Sequence, residues 1–323
     1  MRKTRSQILA WESKWSMPIG AVTFLGVAVL IASAFVISSV NGSGDAELLQ
    51  KASEHSSDVS LSAALEAIGF VILVAPLYFL FRAASARSDR MRRQLVGLVI
   101  AAPLFFAVSA GFNAAATNEA ADQFTAGQAK STLTVKEAGA ECKTELKEKG
   151  AKGFGEEHEA AGESPTQDCV NTKVHDNEAT NALDDAGYRT LATWFGLAGR
   201  LGLAVVLIVC CLYGMRTGLL SRFWGSMGMA LGVAALLLLV QFTLIFFIYF
   251  ALLLINKLPG GRPPAWAAGE AIPWPTPGQK VAAEIEPKDP DVIDVDAVEE
   301  PPQPTNGNGS DAGPGRRKRK RRG

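Results

Sequence analysis

The sequence holds no Walker-type phosphate loop, no GxSxG, no HExxH and no CxxC. Those gaps remove the signatures of P-loop nucleotide hydrolysis, of the α/β-hydrolase elbow, of zinc proteolysis and of dithiol redox chemistry. Histidine is scarce too, with His55, His158 and His175 alone. His158 and His175 stand near Glu156, Glu157 and Glu159 at no spacing that a metal site uses, so they read as solvated polar residues. With no clustered catalytic residues, a membrane enzyme is the least supported reading, and no metal or cofactor is expected.

Net charge is missing as well, since 32 basic residues balance 32 acidic ones. The balance conceals a segregation. Apolar residues collect near 17–40, 62–82, 93–116, 192–214 and 223–256, and charge collects between them. Blocks of ~20 apolar residues match a hydrocarbon core of ~30 Å at 1.5 Å per helical residue. A soluble domain would spread its hydrophobes as amphipathic stripes, whereas these blocks are apolar all round. The expected fold is all-α, a polytopic transmembrane helical bundle.

The first block follows Arg2, Lys3, Arg5 and Lys14, as a signal peptide would. Its apolar run from Pro18 to Val40 is 23 residues long, more than the ~7–15 of a cleaved signal. It reads as an uncleaved signal anchor, with Trp11 and Trp15 at the headgroup interface. Lys and Arg mark the cytoplasmic side in short loops. The arm before the first block is basic, and the loop after it carries Asp45, Glu47, Glu54 and Asp58 against Lys51. The next turn holds Arg82, Arg87, Arg90, Arg92 and Arg93, while 116–191 has fifteen acids against eight bases. Arg216 and Arg222 follow. The alternation runs in, out, in, out, in.

The last block, Phe223 to Ile255, is 33 residues, about 50 Å as one helix. Two short spans, about 223–238 and 242–257, would return the chain to the basic side, with Gln241 the polar residue available for the turn. One long helix, giving five spans and an external tail, is the alternative. The run "YGMRTGLLSRFWGSMGMALG", followed after the apolar block by "LPGGRPPAWAAGEAIPWP", resembles an uncharacterised family of bacterial six-span membrane proteins. The resemblance covers about 213–277. It implies that the Met-Arg-x-Gly-Leu-Leu-x-Arg-Phe segment opens a helical hairpin, and supplies no activity. The polar or Pro-containing turn usual in that family is missing here. Six spans are expected, the last two a tight hairpin, in a bacterial inner membrane.

The resulting organisation is a cytoplasmic arm at 1–16, transmembrane helices 1–3 over 17–116, an extracytoplasmic region at 117–191, helices 4–6 over 192–257 and a cytoplasmic tail at 258–323. The extracytoplasmic region has few large hydrophobes, so a loose helical loop without its own core is expected. Cys142 and Cys169 lie on the predicted oxidising side and read as a disulfide. Cys210 and Cys211 read as buried small hydrophobes. Glu66 and Arg200 are ionisable residues inside predicted spans and could form a pair across the bundle, or Arg200 could snorkel to the surface. Asn113 and Gln241 could bridge helices, and Gly196, Gly199, Gly202, Gly228 and Gly232 read as close-packing positions.

The tail is rich in Pro and Gly, then acidic, and its composition reads as disordered. Trp266 and Trp274 are expected to hold its start against the membrane interface. It ends in Arg316, Arg317, Lys318, Arg319, Lys320, Arg321 and Arg322. Contact with anionic inner-leaflet lipid is the expected role of that run. No folded reading module accompanies it, which argues against nucleic acid. The functional expectation is a non-enzymatic structural or partner-binding membrane component. The alternative is a small-solute transporter or channel using Glu66 and Arg200.

Overall fold

In the computed structural model, the described residues are 4–149, 165–237, 240–258 and 261–274. Among them every regular element is helical. In chain order these are α1 (Arg5–Ile37), α2 (Asp45–Glu54), α3 (Ser56–Arg87), α4 (Val96–Thr125), α5 (Val135–Lys149), α6 (Pro165–Asp185), α7 (Arg189–Arg216), α8 (Arg222–Leu237), α9 (Thr243–Leu254) and α10 (Pro264–Ala268). Short 3-10 turns occupy Arg93–Leu95 and Val240–Phe242.

Four helices, α1, α3, α4 and α7, are long and apolar enough to cross a membrane. Only 33–44% of each apolar window is buried against protein. The rest points outward. Met17, Phe35, Ile68 and Trp194 are all more than half exposed. Apolar surface of this extent on several helices is a liability in water and natural in hydrocarbon. The helices are thus compatible with a membrane location.

The bundle closes on itself. α1 packs on α3, α3 on α4, α4 on α7, α7 on α8, α8 on α9, and α9 back on α1. Close approach rests on small residues, as expected of helices that pack without a hydrophobic drive between them. A side chain at Gly202 of α7 would strike Ala102 of α4, and one at Gly232 of α8 would meet Leu207 and Ala204 of α7.

The pairing of α8 with α9 gives the direction of the last apolar block. Trp224 stacks on Tyr249 with ring centroids 3.8 Å apart, and Gly228 faces the Phe246 ring. Advancing along α8 therefore means retreating along α9. The two run antiparallel as a hairpin about Val240–Phe242. An unbroken helix would carry Phe246, Phe247 and Phe250 away from the bundle, and folding back buries all three. Burial of that size outweighs the missing turn residues.

Among the described residues of 117–191 the expected helices are present, and the expectation that they lack a core of their own is corrected. α4 continues to Thr125, and α2 and α6 pack on its extension to form a cap at one end of the bundle. The buried contacts are mostly alanine: Ala116, Ala120 and Ala121 of α4, with Ala179 and Ala182 of α6, surround Leu49 and Ala52 of α2. Thr180 Oγ1 donates to Asp45 Oδ2 at 2.8 Å, and the Ala46 N–H donates to Asp176 Oδ1 at 3.2 Å. Alanine helices approach closely enough to exclude water without large side chains. A search for large hydrophobes therefore misses this core.

Candidate functional site

Two places concentrate polar chemistry, one at each end of the bundle. At the end opposite the cap, the chain after α9 folds back as a clasp. The Trp266 indole N–H donates to Leu219 O at 2.9 Å, and that of Trp274 to Leu220 O at 2.8 Å. Arg222 Nη2 donates to Trp274 O at 3.2 Å, and the Ile272 N–H to Thr217 O at 3.2 Å. Gly218 has φ +75°, and a Cβ there would collide with Ile272 O. Glycine is required on both counts. The two segments that carry the six-span resemblance thus meet face to face. Both tryptophans dock on protein backbone, and Trp266 is buried. Trp266, expected to hold the start of the tail against the membrane interface, is thus packed inside the protein instead.

Beneath the clasp lies an ion pair that charge counting did not single out. Glu12 of α1 accepts two hydrogen bonds from Arg87 of α3, the Nη2–Oε2 bond at 2.8 Å. Arg87 Nη2 also donates to Ala265 O at 3.0 Å, and its guanidinium lies 5.9 Å from the Trp266 ring. Glu12 is 3% exposed and the Arg87 side chain fully buried. The available signal was a lone acid in a basic arm, set against an arginine-rich turn. Arg262 donates to Leu253 O and Leu254 O, satisfying the free carbonyls at the end of α9.

The second place is a cavity of about 410 Å³ beside the cap, between α1, α3, α4 and the α8–α9 turn. Its walls include Leu30, Val59, Phe70 and Leu244 on the apolar side, with Ser62, Asn113, Thr117 and Gln241 among the polar residues. Glu66 and Arg189 line it as well. Among the described residues neither side chain has a hydrogen bond or an ion pair. Asn113 and Gln241 are exposed and do not bridge helices among the described residues. Below Glu66 the cavity ends on Phe70, stacked on Phe106 with centroids 4.6 Å apart. From there to the clasp the bundle is filled by side chains such as Leu73, Leu77, Leu207 and Phe250.

The register of the helices settles which charges meet. Phe70 faces Phe106, and Ser60 accepts from Asn118 Nδ2 at 3.2 Å, so Glu66 stands level with about residue 111 of α4. Ser109 Oγ donates to Ala192 O at 2.9 Å and lies against Gly196, and Gly199 lies on Phe106, which puts that level near residue 192 of α7. Arg189 is then about one turn toward the cap, and Arg200 about two turns away from it. Arg200 is exposed, on the outward stripe with Leu197 and Leu201. The possible Glu66–Arg200 pair is therefore not formed among the described residues: the two differ in depth and face different surroundings.

Cys142 and Cys169 are joined, linking α5 to α6. Lys173 Nζ spans the same pair of helices, 3.1 Å from Glu141 and 3.2 Å from Glu145. The Glu141 contact holds the Lys173 ammonium above its usual range. Cys210 and Cys211 are free and buried. No group of three metal-ligating side chains occurs among the described residues. The terminal run Arg316–Arg322, the rest of the tail from 275, and His158 with its glutamates lie outside the described residues. Comparison with family models, curated proteins and solved structures returns no match to this chain.

Proposed function

We propose that the chain is a non-enzymatic six-span protein of the bacterial inner membrane that binds a small solute in the cavity at Glu66. The observation that supports it is the cavity itself. It combines apolar walls with a carboxylate and a guanidinium that have no partner among the described residues, the composition of a small-molecule site. An ionisable residue among membrane helices costs ~3 kcal/mol or more when left alone, so its retention favours a ligand role. The closed ring and the antiparallel α8–α9 hairpin support six crossings, with the short pair accommodated by local thinning of the bilayer. The arginines at 82–93, Arg216 and Arg222 favour a cytoplasmic clasp and an extracytoplasmic cap and cavity. The basic run at 316–322 would then lie near anionic inner-leaflet lipid.

The filled bundle below Phe70 favours a binding protein over an open channel in this conformation. A structural or partner-binding role without a solute is the second reading, favoured by the clasp, which orders the chain leading to the tail. The test is Ala114→Cys, on the cavity wall, in a chain whose other cysteines are buried or disulfide-linked. A membrane-impermeant maleimide is expected to label it in intact spheroplasts and not in inside-out vesicles. Labelling from both sides would mean a through-path, and labelling from neither would remove the binding cavity.

A further inference from the structure

We infer that the ligand is a zwitterion, with a primary ammonium that pairs with Glu66 and an anionic group that pairs with Arg189. The inference rests on the solute-binding reading above and adds the chemistry of the solute. Glu66 and Arg189 line one cavity, and neither has a partner among the described residues. No ion pair joins them among the described residues, and the helix register sets Arg189 about one turn, roughly 5 Å along the bundle axis, nearer the cap. Asp45, the other charged residue of the lining, is engaged by the Thr180 hydroxyl at 2.8 Å. The cavity therefore offers negative charge at its floor and positive charge nearer the cap.

A simple cation would satisfy Glu66 and leave Arg189 unanswered. A simple anion would do the reverse and face the carboxylate. A molecule carrying both charges on a short linker answers each with a charge-assisted hydrogen bond, and guanidinium is well suited to a carboxylate or phosphate. Leu30, Val59 and Phe70 offer apolar surface for the rest of it. Free amino acids and the headgroup of phosphatidylethanolamine share this chemistry.

The test uses the full chain in phosphatidylglycerol nanodiscs and measures binding by calorimetry. The ligands are leucine, 3-methylbutylamine (leucine without its carboxylate) and 4-methylpentanoate (leucine without its ammonium). A parallel set of discs contains phosphatidylethanolamine, and the melting temperature is read in both. Leucine is expected to bind at least tenfold more tightly than either analogue. Glu66→Gln and Arg189→Gln should each abolish that advantage, while Arg200→Leu, outside the cavity, should preserve it. The analogue comparison on the unmodified chain stands even where a variant fails to fold. A rise in melting temperature with phosphatidylethanolamine, and none with leucine, also upholds the zwitterion and assigns it to lipid. Equal binding of leucine and 3-methylbutylamine overturns the zwitterion and leaves solute binding standing. Silence of all three solutes and of the lipid defeats both.

Discussion

Glu12 and Arg87 show how a buried charge pair acts at the scale of single residues. Desolvating both is expensive, and the bidentate geometry with the added bond to Ala265 O is what offsets it. Removing one partner leaves the other charged in a dry site. Glu12→Ala is expected to lower stability by about 3–5 kcal/mol, read from the unfolding midpoint in mixed micelles. The double change Glu12→Leu with Arg87→Leu should cost less than Glu12→Ala alone, because no stranded charge remains. A double variant worse than either single one would mean that the pair itself stabilises the bundle. Glu47 is the contrasting case, an exposed carboxylate on the cap. Bonds from Lys51 and from the Ser43 hydroxyl and N–H lower its pKa to about 2. A lowered folded-state value means the contribution is present above the usual carboxylate pKa and fades as pH falls through about 2. Its carboxyl carbon resonance should therefore hold its ionised shift down to about pH 3, and Lys51→Met should move the titration upward.

The element scale is where the cap and the hairpin belong. Cys142 and Cys169 are 27 residues apart in sequence, and closing such a loop restricts the unfolded chain by about 3–4 kcal/mol in the entropic account. Ala138, Cys142, Cys169 and Val170 form a small buried cluster distinct from the alanine contacts that hold α6 on α2 and α4. Reduction, or Cys142→Ser, should therefore expose α5 to protease while the six-helix bundle melts at an unchanged temperature. A common fall in melting temperature would show that cap and bundle unfold together. Much of this scale was legible in the sequence. The four long apolar helices are visible as blocks, the disulfide partners as the two cysteines outside those blocks, and the α8–α9 hairpin as a 33-residue run too long for one crossing. The alanine core of the cap was not, because hydropathy credits volume and alanine contributes closeness. The possible Glu66–Arg200 pairing was lost for a related reason: the relative depth of two residues and the face each presents both depend on how the helices pack against one another. The cavity needed all of α1, α3, α4 and the turn at Val240 to be placed before Arg189 could be recognised beside Glu66.

At the scale of the whole molecule, the clasp ties the sidedness of the described chain ends together. Arg5, near the start of α1, donates to Ala268 O and lies 3.9 Å from Glu270, while Trp266 and Trp274 hold the loop between α7 and α8. Both described ends of the chain are therefore at the same end of the bundle, whichever way the bundle faces. A single helix through the last apolar block could not achieve this, because it would deliver residue 255 to the cap end. The prediction is that a reporter fused after Trp274 and one placed before Arg5 give the same sidedness, and that arginine-rich turns put both in the cytoplasm. Alkaline phosphatase fused after Trp274 should be inactive and a fluorescent protein there bright. Opposite results at the two ends would dismantle the hairpin and the clasp together. Matching results on the external side would keep the fold and invert it, placing the cavity at Glu66 within reach of cytoplasmic solutes instead.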